Sequence, residues 1–212
     1  MNQVIQAQPG TKTPEQPLYS PGLEGVIAGE SALCQVDEGE AGLRYRGYAI
    51  GDLAKWSSFE DVAYLLLIGH LPTRNELDRF TALLRDNRVL PEPVQRFVDR
   101  LPPGLHPMDV LRTGISLLGL SDPDAQDGSH EANLSKSMRL LSQIPLLIAD
   151  SHRVMSGTVP RKPDESRHFA QHLLHLVAGH KDGERDAAMA EALNVSLILY
   201  AEHEFNASTF AA

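Results

Sequence analysis

Four histidines crowd one short stretch of the chain: His168, His172, His175 and His180. The first three are spaced i, i+4, i+7, which puts them on one face if the stretch is helical. Imidazoles arranged in this way can ligate a metal or bind an anion. The same spacing also describes a solvated helix face with one or two hydrogen-bonded core histidines. A second stretch, Tyr200-Ala201-Glu202-His203-Glu204-Phe205-Asn206-Ala207-Ser208-Thr209-Phe210, sets a histidine between two acids at the end of an apolar run. Consecutive helical residues point about 100° apart, so Glu202 and Glu204 cannot both clamp His203 from one face. Asn206, Ser208 and Thr209 add polar groups that either serve a site or cap a following helix. A zinc-protease motif is absent, because Ala207 stands where His203-Glu204 would need its second histidine.

Smaller candidates are few. Arg44, Tyr45, Arg46 and Tyr48 form a basic, aromatic cluster that suits either an anion or a plain hairpin face. Cys34 lies in an apolar run and reads as a small core residue. Neither a phosphate loop nor a Gly-x-Ser-x-Gly nucleophile turn occurs.

The elements that must carry these residues are mostly helical. Residues 1–22, with four prolines, read as a flexible tail, and 23–212 as the folded part. Ala32–Val36 and Leu43–Arg46, around the turn residues 37–40, predict a small β-hairpin. Ser57 and Glu60 predict a capping box that opens a helix ending at Gly69, and Thr73 and Glu76 predict a second box. Pro93 and Pro107 open further helices, the latter ending at Gly119. A long helical pattern over 131–156 is interrupted by Pro145. Two more helices follow, over about 165–178 and 185–202. The fold class is mainly α with one small β element.

Composition narrows the function. The 212 residues carry 19 Lys+Arg against 28 Asp+Glu, a net charge of −9, and no basic stripe for nucleic acid. The longest apolar run, 63–69, falls far short of a membrane span. A single cysteine excludes an internal disulfide and a cysteine-based metal cage. With no secretory leader visible, the expected compartment is the cytoplasm.

Three blocks, in order, resemble the citrate synthase family. The first is Leu43-Arg44-Tyr45-Arg46-Gly47-Tyr48 followed by Ile50, Asp52-Leu53-Ala54, Ser58–Leu66, Gly69 and Leu71-Pro72-Thr73. The second is His106–Thr113, and the third is Tyr200–Phe210. Tyr200-Ala201-Glu202-His203 and His172–Leu176 look like the 2-methylcitrate synthases of that family. Pro21–Ala28 looks more like general bacterial citrate synthases.

The resemblance implies a partial, citrate-synthase-like large helical domain in a homodimer. It implies an acyltransferase that condenses acetyl-CoA or propionyl-CoA with oxaloacetate, with no metal and no cofactor beyond the coenzyme A thioester substrate. It implies that His203 is the catalytic histidine that hydrogen-bonds the thioester carbonyl. It places His172 near the oxaloacetate-binding histidine, with His168 and His175 as alternatives, and gives Asn206 a part in local geometry. The family is about twice as long, and its second catalytic histidine, carboxylate base and most coenzyme A contacts fall beyond residue 212. The chain is therefore expected to be an N-terminal half, inactive alone. A non-catalytic helical scaffold and one chain of a split synthase are the other readings.

Overall fold

The computed structural model describes residues 29–36, 42–179, 183–202 and 205–206. The expected tail over 1–22, the hairpin turn at 37–40, His180 and His203 lie outside the described residues. Internal contacts divide the chain into residues 1–31 and Ala32–Ala212, and every element below belongs to the second unit.

Three short strands, β1 (Cys34–Val36), β2 (Leu43–Tyr45) and β3 (Tyr48–Ala49), form an antiparallel sheet in chain order. The expected hairpin is β1–β2, in which Cys34 pairs with Tyr45. The third strand follows a two-residue turn, Arg46-Gly47, that the sequence reading did not resolve. Both turn residues have positive φ, +45° and +88°, the geometry that suits the twist of a tight hairpin. Cys34 is half-buried and packs against the nearby core, as expected of a small core residue.

Eight helices follow among the described residues: α1 (Ile50–Trp56), α2 (Phe59–Ile68), α3 (Arg74–Asp86), α4 (Glu92–Val98), α5 (Pro107–Ser121), α6 (His130–Met155), α7 (Phe169–Ala178) and α8 (Glu184–Leu199). The Thr73–Glu76 capping box is present on α3. The box on α2 is displaced by one residue, to Ser58 and Asp61. The reason is tertiary. Asn194 of α8 accepts the Phe59 N–H at 2.8 Å and donates to the Ser57 carbonyl, and Glu60 is drawn inward to another partner. Pro107 opens α5, but the helix passes Gly119 and ends at Ser121. α6 runs through Pro145 as one element. α7 starts four residues later than expected, and α8 stops at Leu199 rather than 202.

Two apolar clusters hold the helices together. One gathers Tyr45, Leu65, Phe80, Phe169 and Ile198, from the sheet, α2, α3, α7 and α8. The other gathers Val94, Val98, Leu118, Leu147 and Leu176, from α4 to α7. Gly114 allows α5 to lie close against α6, since a Cβ there would come within 2.6 Å of the Leu147 methyls. No helix among the described residues is long and apolar enough to cross a membrane.

Candidate functional site

The start of α7 is built by groups from three other regions. Glu60, in the first turn of α2, is 3% exposed, yet it is a carboxylate. Its Oε1 accepts the Phe169 N–H at 2.7 Å, satisfying one of the donors that the start of any helix leaves unpaired. The same oxygen lies 3.5 Å from His168 Nδ1. The Phe59 and Phe169 rings pack beside them, tilted at 49° with centroids 4.7 Å apart.

The strap that delivers His168 is held separately. The Asp164 carboxylate accepts the Ser166 N–H, the Ser166 hydroxyl and Arg167 Nε at 3.0, 2.6 and 2.7 Å. Those bonds hold its carboxyl far below the usual range. Arg88, itself buried, donates to the Asp164 carbonyl at 3.3 Å.

His168 is therefore the N-cap residue of α7, outside the helix, and the expected single face of His168, His172 and His175 does not form. The three histidines have separate environments. His168 is largely exposed and lines a cleft of about 490 Å³ with Glu60, Lys55, Ser58, Gln171 and Asn194. Glu60 raises its pKa, against an opposing effect of burial. Burial pushes the Glu60 carboxyl up, but His168 and the Phe169 N–H outweigh it and leave it below its ordinary value.

His172, the first sequence candidate, is 2% exposed and lines none of the clefts described here. Neither ring nitrogen makes a hydrogen bond. Burial, reinforced by the Arg88 guanidinium, lowers its pKa to about 4, and the facing Asp164 carbonyl offsets this only in part. His172 is a neutral core histidine. His175 Nε2 sits 3.2 Å from the Lys162 carbonyl. Among the described residues no group of three or more His, Cys, Asp or Glu is placed to hold a metal ion.

The end of α8 meets the start of α7. Phe169, Leu197 and Ala201 line one apolar groove of about 460 Å³. α8 therefore ends beside the start of α7. Tyr45 reaches this point from β2, with its hydroxyl 2.9 Å from the Glu202 carbonyl. Asn206 is exposed and makes an interaction of its own.

The Arg44–Tyr48 cluster is spent on structure. Arg46 Nη2 donates to the Leu66 carbonyl at the end of α2, and Arg44 Nη1 to the Gly47 carbonyl. Sequence reasoning did not single out Glu60 as more than a capping acid. Its signal, an acid in the first turn of an apolar helix, is common to many helices.

A helical framework that sets an exposed histidine on a buried carboxylate beside the end of α8 has well-defined relatives. The family model "Citrate synthase, C-terminal domain" matches residues 22–212. The chain belongs to the citrate synthase family. It is 41% identical to a 2-methylcitrate synthase of Mycobacterium tuberculosis over 198 residues, covering 93% of this chain and 49% of that protein. It is 39% identical to a citrate synthase of Mycolicibacterium smegmatis, covering 93% and 52%. Among solved structures, citrate synthase from Thermotoga maritima superposes with a TM-score of 0.76 at 33% identity, over 90% of this chain and 48% of that one. A citrate synthase from Thermoplasma acidophilum, solved as a ternary complex with carboxymethyl coenzyme A and oxaloacetate, superposes at 0.81 and 25% identity, over 91% and 50%. The chain spans about half the length of the curated relatives it matches.

Proposed function

We propose that the chain is the N-terminal helical part of an acyltransferase that joins an acyl-CoA to oxaloacetate. The products are citrate from acetyl-CoA, or 2-methylcitrate from propionyl-CoA, with release of coenzyme A. The observation that carries this reading is the match to the family over residues 22–212. The relatives' names divide between the two activities, so both acyl groups are retained. The remaining parts of the site, including the base that takes the proton from the acyl carbon, fall in the length that the chain does not span. A cytoplasmic homodimer is part of the same proposal.

Within this chain, His203 is assigned the thioester carbonyl. Removing a proton beside a thioester builds negative charge on that oxygen, and a positioned N–H donor stabilises it. A neutral imidazole is sufficient for this role. The contact to oxaloacetate goes to His168 rather than His172. Oxaloacetate is a dianion, and His168 is the exposed histidine whose positive charge a buried carboxylate supports, whereas His172 is buried and neutral. Asn206 is assigned to the geometry of the segment around His203.

The test is thiol release from acetyl-CoA and propionyl-CoA, with and without oxaloacetate. It is run on this chain alone and on the chain together with the other half of its relatives' length, on one polypeptide or two. Oxaloacetate-dependent release is expected only from the complete pair. Release by the chain alone would overturn the claim that essential groups lie outside it, and no release from the pair would overturn the synthase reading.

A further inference from the structure

We infer that Tyr45 is a positioning residue for the segment that carries His203, an inference that rests on the catalytic role proposed above. Tyr45 is fully buried in β2. Its hydroxyl faces the carbonyls of Ile198 and Leu199, each at 3.2 Å, and of Glu202 at 2.9 Å. It also accepts the Glu202 N–H at 3.3 Å, across 157 residues of sequence. A hydroxyl has one proton, so it donates to one of these carbonyls at a time while accepting from the amide. The last carbonyls of a helix have no partner within the helix, and Tyr45 supplies one.

Ile198 is buried in the core beside this point, and Leu197 and Ala201 pack against the same cluster. Tyr200 is 83% exposed. The Tyr200 and Ala201 N–H groups bond only back into α8, to Ser196 and Ile198. The anchor itself is held firmly. The Arg46 N–H donates to the Leu33 carbonyl at 2.8 Å, and Arg46 Nη2 donates to the Leu66 carbonyl at 3.1 Å. Adjacent residues of one hairpin thus grip the C-terminal ends of α8 and α2. α2 also carries Glu60 at its other end, against the start of α7 beside His168. Burial raises the Tyr45 pKa above its ordinary value.

The experiment uses the complete enzyme with Tyr45→Phe, which removes only the hydroxyl and leaves the ring in the core. A misplaced catalytic group costs rate, so kcat is expected to fall roughly ten- to a hundred-fold, with KM for oxaloacetate changed less than about twofold. Hydrogen exchange is expected to quicken over 198–206 and not in α6. An unchanged kcat in Tyr45→Phe, alongside a His203→Ala enzyme that has lost activity, would overturn the inference and leave the synthase reading intact. A wild-type enzyme that does not condense would overturn both. Rapid exchange of the Glu202 amide in the wild-type protein would also overturn the inference, with no need for the variant to fold.

Discussion

Glu60 and Phe169 are 109 residues apart in sequence, and the Glu60 carboxylate accepts the Phe169 backbone N–H at 2.7 Å. That bond fixes where α7 begins, and so which histidine faces the cleft. Removing it with Glu60→Ala leaves a buried helix donor without a partner and is expected to cost about 1–3 kcal/mol in urea unfolding. Glu60→Gln can still accept that N–H, so it should cost less.

The same pair predicts a pH signature. Glu60 raises the His168 pKa above its ordinary 6.5, and His168 helps to hold Glu60 below 4.5. The stability from charged His168 is complete below 6.5 and is lost as pH rises through the raised value. The stability from ionised Glu60 is present above 4.5 and is lost as pH falls through the lowered value. Both charges coexist from 4.5 to 6.5 and somewhat beyond on each side. In the complete enzyme, KM for oxaloacetate should rise as pH climbs past this range, and in Glu60→Gln the rise should begin at lower pH. Superimposable KM profiles would remove His168 from the oxaloacetate site.

His203→Ala in the complete enzyme is expected to lower kcat about 10²- to 10³-fold, the usual loss for one donor to a developing oxyanion. Oxaloacetate binding, measured by calorimetry, should be nearly unchanged. The thiol-release rate checks the first expectation directly.

Two buried groups should oppose each other in acid. Asp150 is 8% exposed, and its Oδ1 has no hydrogen-bond partner. Burial, with Asp99 nearby, raises its pKa to about 6, so its ionisation as pH rises works against the fold. His172, at about 4, works against the fold as pH falls below its ordinary 6.5. Each effect is on the order of 3 kcal/mol at full extent. Asp150→Asn should therefore raise Tm at pH 7.5, lose that advantage progressively as pH falls through about 6 and wholly below 3.8, and show steeper acid destabilisation than the wild type. Thermal melts across that range decide it.

Gly114→Ala should destabilise by roughly 1–3 kcal/mol, because its methyl would fall within 2.6 Å of the fully buried Leu147 side chain. The combination Gly114→Ala with Leu147→Ala should be less damaging than the two single costs added together, as denaturant unfolding of all three variants would show.

The sequence by itself determined the helical class, the hairpin and most helix starts, because those signals are local. Thr73 and Glu76 cap α3 from within one turn, and Pro107 opens α5 by its own fixed φ. It also determined the family, since the blocks at 43–73, 106–113 and 200–210 are patterns along the chain. Only the tertiary structure moved the cap of α2 from the expected Ser57 to Ser58, because Asn194 from α8 takes the Phe59 N–H. Only the tertiary structure separated His168 from His172. Their spacing is the same whether α7 begins before or after His168, and Glu60 on α2 together with the Asp164 strap decides that point. Tyr45 was likewise one aromatic among a basic cluster until the fold set its hydroxyl against the end of α8. Contacts between residues more than a hundred positions apart leave no periodicity to read.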